Sequence, residues 1–132
     1  MPIAFEIDSA AHRVVATATG DIRIEDMVAL MNQLAESRVL SYPLRLDARG
    51  AVVALTAEET RRLVPLIGRL RDEHGQARTA FIADSDVSFG MARMYATLSA
   101  DTDAGFMVYR TVEEGDAWLG WLLSPSERRS YH

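Results

Sequence analysis

The chain has 132 residues, 48% hydrophobic and 25% charged, which suits one domain with a substantial core and is too short for two ordinary ones. Its formal charge is −5 and its 14 basic residues are all arginine, which argues against a broad basic surface for nucleic-acid phosphates. With no cysteine there is no disulfide framework, thiolate metal site or cysteine nucleophile, which fits a cytoplasmic protein.

The opening MPIAFEIDSA lacks the basic region and long apolar stretch of a secretory leader. No apolar run approaches the ~20 residues that cross a bilayer, so no membrane span is expected. Ile3, Phe5 and Ile7 alternate with Ala4, Glu6 and Asp8, the period of a half-buried strand. Residues 12–19, HRVVATAT, are rich in β-formers and end at Gly20. The two segments read as an antiparallel hairpin turning at Ser9-Ala10-Ala11. Ile24, Met27, Val28, Met31 and Leu34 then fall on one helical face to about Ser37, with Glu25 and Asp26 in the first turn, where the helix dipole favours acids. Residues 39–43 break this pattern, and 44–47 form a third strand.

Residues 51–55, AVVAL, are an apolar stretch in a predicted connection. They suit a lid packed over the sheet end, the lining of an apolar pocket, or a subunit interface. Thr56 with Glu59 is a capping box, which starts a helix near Ala57. Its apolar face is Leu63, Leu66, Ile67 and Leu70, its other faces carry Arg61, Arg62, Arg69 and Arg71, Pro65 should kink it and Gly75 ends it. Residues 78–83, RTAFIA, are a near-continuous apolar run suited to a strand buried on both faces. Asp84-Ser85-Asp86 offers caps for a helix with the stripe Val87, Met91, Met94, Tyr95 and Leu98. Residues 105–110 form a fifth strand, and Thr111 with Glu114 opens a last helix bearing Val112, Trp118, Trp121 and Leu122, with at least one tryptophan in the core.

The order β-β-α-β-α-β-α-β-α predicts a single-domain α/β fold, with four helices on a mixed, mostly parallel five-stranded sheet. The domain spans residues 1–123, and the polar stretch 124–132 reads as a flexible tail.

In a parallel sheet, Asp47, Arg49, Asp84 and Arg110 would meet at the carboxyl edge of the strands. One reading makes the two arginines an anion clamp, helped by the Ser85 and Ser88 hydroxyls and the neighbouring helix N-termini. The other has Asp84 capping a helix, Asp47 pairing with an arginine, and Arg110 solvated. Phe89 falls off its helix stripe beside the same edge and is the exposed aromatic expected to meet a ligand or partner. His12, His74 and His132 have no metal-ligand spacing, and the chain has no P-loop, dinucleotide fingerprint or nucleophile elbow, so neither metal nor cofactor is expected.

The hairpin ending in Gly20-Asp21, the strand ending in Asp47-Ala48-Arg49, the LTAEE helix start, RTAFIA, GMARMY and the closing VYRTVEEGDAWLGWL together resemble the SpoIIAA-like branch of the STAS family over residues 3–123. That branch is related in fold to CRAL-TRIO lipid-binding domains. The resemblance implies a compact β-α superhelix and self-association. Anti-sigma antagonists of the family carry a phosphorylatable serine in an Asp-Ser-Ser/Thr-Gly signature, where this chain has Ala54-Leu55-Thr56-Ala57. Thr56 is the nearest hydroxyl there, and its capping role already accounts for it.

Two functions follow from this reading. The first is a non-enzymatic regulatory or protein-interaction module, acting as a homodimer or with another protein. The second is a carrier of a lipid or small anionic ligand, its pocket lined by residues 52–55, Phe89 and Tyr109, with Arg49 or Arg110 holding the anionic head.

Overall fold

The structure, a computed structural model, describes residues 2–121. The expected tail, together with Leu122 and His132, lies outside the described residues. In chain order the elements are β1 (Ile3–Asp8), β2 (Arg13–Ala18), β3 (Gly20–Ile22), α1 (Ile24–Glu36), β4 (Leu44–Asp47), β5 (Ala51–Val53), α2 (Ala57–His74), β6 (Thr79–Ile82), α3 (Asp86–Leu98), β7 (Phe106–Tyr109) and α4 (Val112–Leu119).

The main sheet has the order β1-β2-β4-β6-β7. β1 and β2 form the antiparallel hairpin, from Ile3 opposite Ala18 to Asp8 opposite Arg13, and all other neighbours are parallel. A mixed, mostly parallel five-stranded sheet with four helices is thus what the alternation of elements predicted. A further two-stranded parallel sheet joins β3 to β5, with Gly20 opposite Ala51 and Ile22 opposite Val53. The sequence reading had made these segments a turn and a loop. Each strand is three residues long, too short for a period-two pattern to register.

Alternation along the strands divides the core in two. On one sheet face, Val14, Leu46 and Phe81 pack against Leu30 and Leu34 of α1, Leu63 and Ile67 of α2, and Tyr95 of α3. On the other, α4 lays Val112 and Leu119 on Ala80 and Ile82. α4 lies so close to β6 that a Cβ at Gly115 would stand 2.6 Å from Ile82 Cδ1 and 3.3 Å from Ala80 Cβ. Trp118 and Trp121 flank this smaller core half-buried, so neither is a fully buried core residue, and α4 ends before Trp121. Thr56 and Glu59 form the reciprocal capping box at α2, and Ser85 caps α3. α2 continues past Pro65, which is exposed and has no N–H to offer the Arg61 carbonyl.

Periodicity misplaced four apolar side chains, because Ile7, Leu66, Val87 and Leu98 are exposed. It also placed Arg71 with the solvated arginines of α2, yet Arg71 is 2% exposed. Its Nε donates to Asp103 Oδ1 at 3.1 Å, Nη2 to Thr79 Oγ1 at 3.2 Å, and Nη1 to the Leu40 carbonyl. Asp103 Oδ2 accepts from the Tyr95 hydroxyl at 2.8 Å. Burial, reinforced by the Asp103 carboxylate, pushes the Tyr95 phenol far above its ordinary pKa and keeps it a neutral donor. A guanidinium and a carboxylate out of water are costly unless each finds partners, and this network provides them.

Removing one partner leaves the other charge buried and unpaired. Arg71→Met is therefore expected to lower the unfolding free energy by about 3–5 kcal/mol in urea denaturation, and Arg71→Met with Asp103→Leu to recover much of that loss. A loss for Arg71→Met of only a few tenths of a kcal/mol would show that the pair does not govern stability.

Candidate functional site

Asp47 stands opposite Ile82, and Ile82 opposite Tyr109, so β4, β6 and β7 end level with one another. The turns beyond them therefore share one rim, where Asp47, Arg49, Asp84 and Arg110 gather. After β4 the chain closes a tight turn by a bond from Ala51 N–H to the Ala48 carbonyl, with Gly50 at φ 78°. A positive φ suits glycine because a side chain there meets the backbone.

Asp47 holds this turn. Its Oδ1 accepts from Arg49 N–H at 3.1 Å and from Arg49 Nε at 2.9 Å, while Oδ2 accepts from Arg49 Nη2 at 2.9 Å. Partial burial works to raise the Asp47 pKa, but the bonds and charge of Arg49 outweigh it and hold the carboxyl below its ordinary value. Arg49 is raised in turn, chiefly by its bond to Asp47.

Across the rim, Arg110 Nη2 pairs with Asp86 Oδ1 at 2.9 Å. Its Nη1 lies 3.4 Å from the Asp84 carbonyl oxygen, and its guanidinium carbon lies 4.1 Å from the Phe89 ring centre. Arg110 is thus engaged rather than freely solvated. Phe89 is half-buried beneath it rather than exposed. Asp84 Oδ1 approaches Gly50 N–H at 3.5 Å, and the cap of α3 is Ser85, whose Oγ accepts from Ser88 N–H at 3.2 Å. Ser88 is buried, and its Oγ accepts from Val53 N–H at 3.1 Å, tying β5 to α3. Tyr109 points to the other sheet face, where its ring centre lies 5.8 Å from that of Trp118. Burial raises its phenol pKa there.

The rim therefore brings together Asp47, Arg49, Asp84, Ser85, Phe89 and Arg110, but not Ser88 or Tyr109 as surface groups. Both guanidinium groups are already paired, and Asp47, Asp84 and Asp86 outnumber them. An added anion would displace an existing carboxylate partner. Neither serine has a histidine beside it among the described residues, since His12 packs on Tyr42 and His74 ends α2. Among the described residues no group of three His, Asp or Glu side chains could hold a metal ion.

Val52, from the apolar stretch 51–55 that suited a lid, a pocket lining or a subunit interface, and Val87, which the sequence placed on the apolar stripe of α3, complete the rim. Val52 is 51% exposed, between buried Ala51 and Val53. Val87 is 70% exposed in the first turn of α3. Each immediately precedes a member of the Val53–Ser88 hydrogen-bonded pair, so the two valines belong to adjoining segments. Reading residues 51–53 as a strand would have turned Val52 outward.

A cavity of about 40 Å³ lies between the main sheet and α1 to α3, lined by Met27, Met31, Leu46, Val53, Leu55 and Leu63, with Thr79, Tyr95 and Asp103 also on its wall. A single water occupies ~10–15 Å³ on such a measure, so the space corresponds to a few waters. Phe89, Tyr109, Arg49 and Arg110 do not line it. No helix among the described residues is long and apolar enough to cross a membrane.

No protein-family model and no curated protein matches the chain. Solved structures similar to it include an uncharacterized protein of the DUF3478 family with a SpoIIAA-like fold from Shewanella loihica PV-4. That similarity has a TM-score of 0.57 and 18% identity, over 89% of this chain and 93% of that one. An anti-sigma factor antagonist from Mycobacterium paratuberculosis is similar at TM-score 0.52 and 18% identity, over 89% of this chain and 94% of that one. The anti-sigma factor antagonist SpoIIAA in its unphosphorylated form is similar at TM-score 0.56 and 13% identity, over 92% of this chain and 100% of that one. Together with the order and register of its strands, these likenesses show that the chain has a SpoIIAA-like fold.

Proposed function

We propose that this chain is a non-enzymatic regulatory or protein-interaction module, cytoplasmic, which meets its partner through the rim where β4, β6 and β7 end. The observation that carries the proposal is the exposure of Val52 and Val87 beside side chains whose charges are already paired. An apolar centre bordered by polar groups is the anatomy of a protein interface. Burying the valines against a partner would gain ~25 cal/mol per Å² of apolar surface removed from water. The anti-sigma factor antagonists among the similar structures support a regulatory role for the fold.

Thr56 enters as the α2 cap rather than as a phosphate acceptor, because its hydroxyl oxygen accepts from Glu59 N–H at 3.0 Å and its own N–H donates to Glu59 Oε1 at 2.9 Å. Homodimerisation belongs to the same proposal, with a second copy seated on the two valines. The lipid or anionic-ligand carrier is the weaker reading. The cavity of about 40 Å³ is small for an acyl chain, and Arg49 and Arg110, already paired at the rim, do not line it.

Affinity capture with the purified chain, compared with Val52→Asp and Val87→Asp, checks the reading. The expected outcome is a protein captured by the wild type and depleted roughly tenfold or more by each variant, equivalent to about 1.4 kcal/mol, with thermal melting unchanged. Identical capture profiles would overturn it. Native mass spectrometry is expected to show a dimer without bound lipid, and co-purified lipid would favour the carrier instead.

A further inference from the structure

β7 is the last strand of the main sheet, so among the described residues one of its sides has no neighbouring strand. Gly105 and Tyr109 turn their carbonyls toward β6, accepting from Thr79 and Ala83 N–H at 2.8 and 2.9 Å. Hydrogen-bonding direction alternates along a parallel strand, so Val108 between them presents its N–H and C=O to the open side. The Phe106 carbonyl points the same way, while its N–H is taken by the Asp103 carbonyl.

α3 runs beside this edge without covering it. Phe89, Arg93 and Ala96 follow one another at helical spacing along the side of α3 that faces β7, and Ala100 continues the row in the turn after it. With Thr97 and the exposed Met107 they border a groove of about 450 Å³, kept open by the short alanine side chains. Arg93 is exposed in it, with its guanidinium carbon 5.9 Å from the Phe89 ring centre. Among the described residues Arg93 has no carboxylate or hydrogen-bond partner.

We propose that this groove takes an extended segment of a partner protein, which adds to β7 as a sixth strand and sets an acidic side chain against Arg93. An open strand edge is complemented by another main chain, since only that carries donors and acceptors at the matching two-residue repeat. The alanines leave room for the inward side chains of the added strand, and the unpaired cation selects for a carboxylate. A second copy of β7 fits less well, because Phe106–Tyr109 carries no acid and is followed by Arg110. This surface is separate from the valines of the rim, so Val52→Asp leaves it intact.

The test is to pan a display library of linear peptides of about twelve residues against the full chain, then measure synthetic copies of the enriched sequences by fluorescence polarisation. Enriched peptides are expected to alternate apolar residues with at least one Asp or Glu and to slow hydrogen exchange at the Val108 amide. Arg93→Glu is expected to weaken them roughly tenfold or more, as is Thr97→Trp, which fills the groove. Both positions are exposed, and unchanged melting confirms folding in each variant. The proposal fails if no sequence is enriched, if binding is indifferent to both variants, or if protection falls away from β7. Concentration-dependent self-association abolished by Arg93→Glu would identify a second copy as the occupant and equally overturn it.

Discussion

The buried pair of Arg71 and Asp103 is the constraint on which the arrangement rests. Neither charge tolerates the interior alone, so each fixes the elements that supply its partners. Through Arg71 the pair draws α2 to the chain after α1, at Leu40, and to the first residue of β6, at Thr79. Through Asp103 it draws in Tyr95 of α3 and the approach to β7. Five segments are thus fastened where the parallel strands begin. Apolar packing alone would allow helices to slide over the sheet, whereas a guanidinium with directed bonds to several elements specifies one alignment.

That fastening separates structural work from surface work. At the amino ends of the strands the charges of Arg71 and Asp103 are buried and paired. At the carboxyl ends, short turns carry paired charges that border Val52 and Val87. The ion pairs of Asp47 with Arg49 and of Asp86 with Arg110 cost little to maintain at the surface, and pairs of this kind contribute at most about 1 kcal/mol each. Their main effect is to hold the turns in one conformation. Ser88 adds to this from beneath, its hydroxyl accepting from the backbone of β5.

Much of this was legible in the sequence wherever the signal was local. Alternation in residues 3–8, the Thr56–Glu59 box and the apolar run RTAFIA each point to one element, because a single element's geometry determines them. The gathering of Asp47, Arg49, Asp84 and Arg110 was legible too, since a parallel sheet sends every such strand to the same edge. What escaped depended on distant partners. Arg71 reads as a solvated residue until Asp103 is known to lie against it. Val87 fits an apolar stripe, but the first turn of α3 projects beyond the sheet that would cover it. The role of Ser88 was hidden for a related reason: its partner Val53 sits in a strand too short to announce itself.

The sheet's pairing pattern also bears on how the chain reaches this state. β1 and β2 are the only adjacent strands of the main sheet joined by a short turn, so their hairpin can zip locally. Every other neighbour must close a loop containing a helix, which is entropically slower. Asp103 lies just before β7, so the guanidinium of Arg71 gains its carboxylate only when the last strand arrives. The two charges can therefore leave water together only once the approach to β7 is in place.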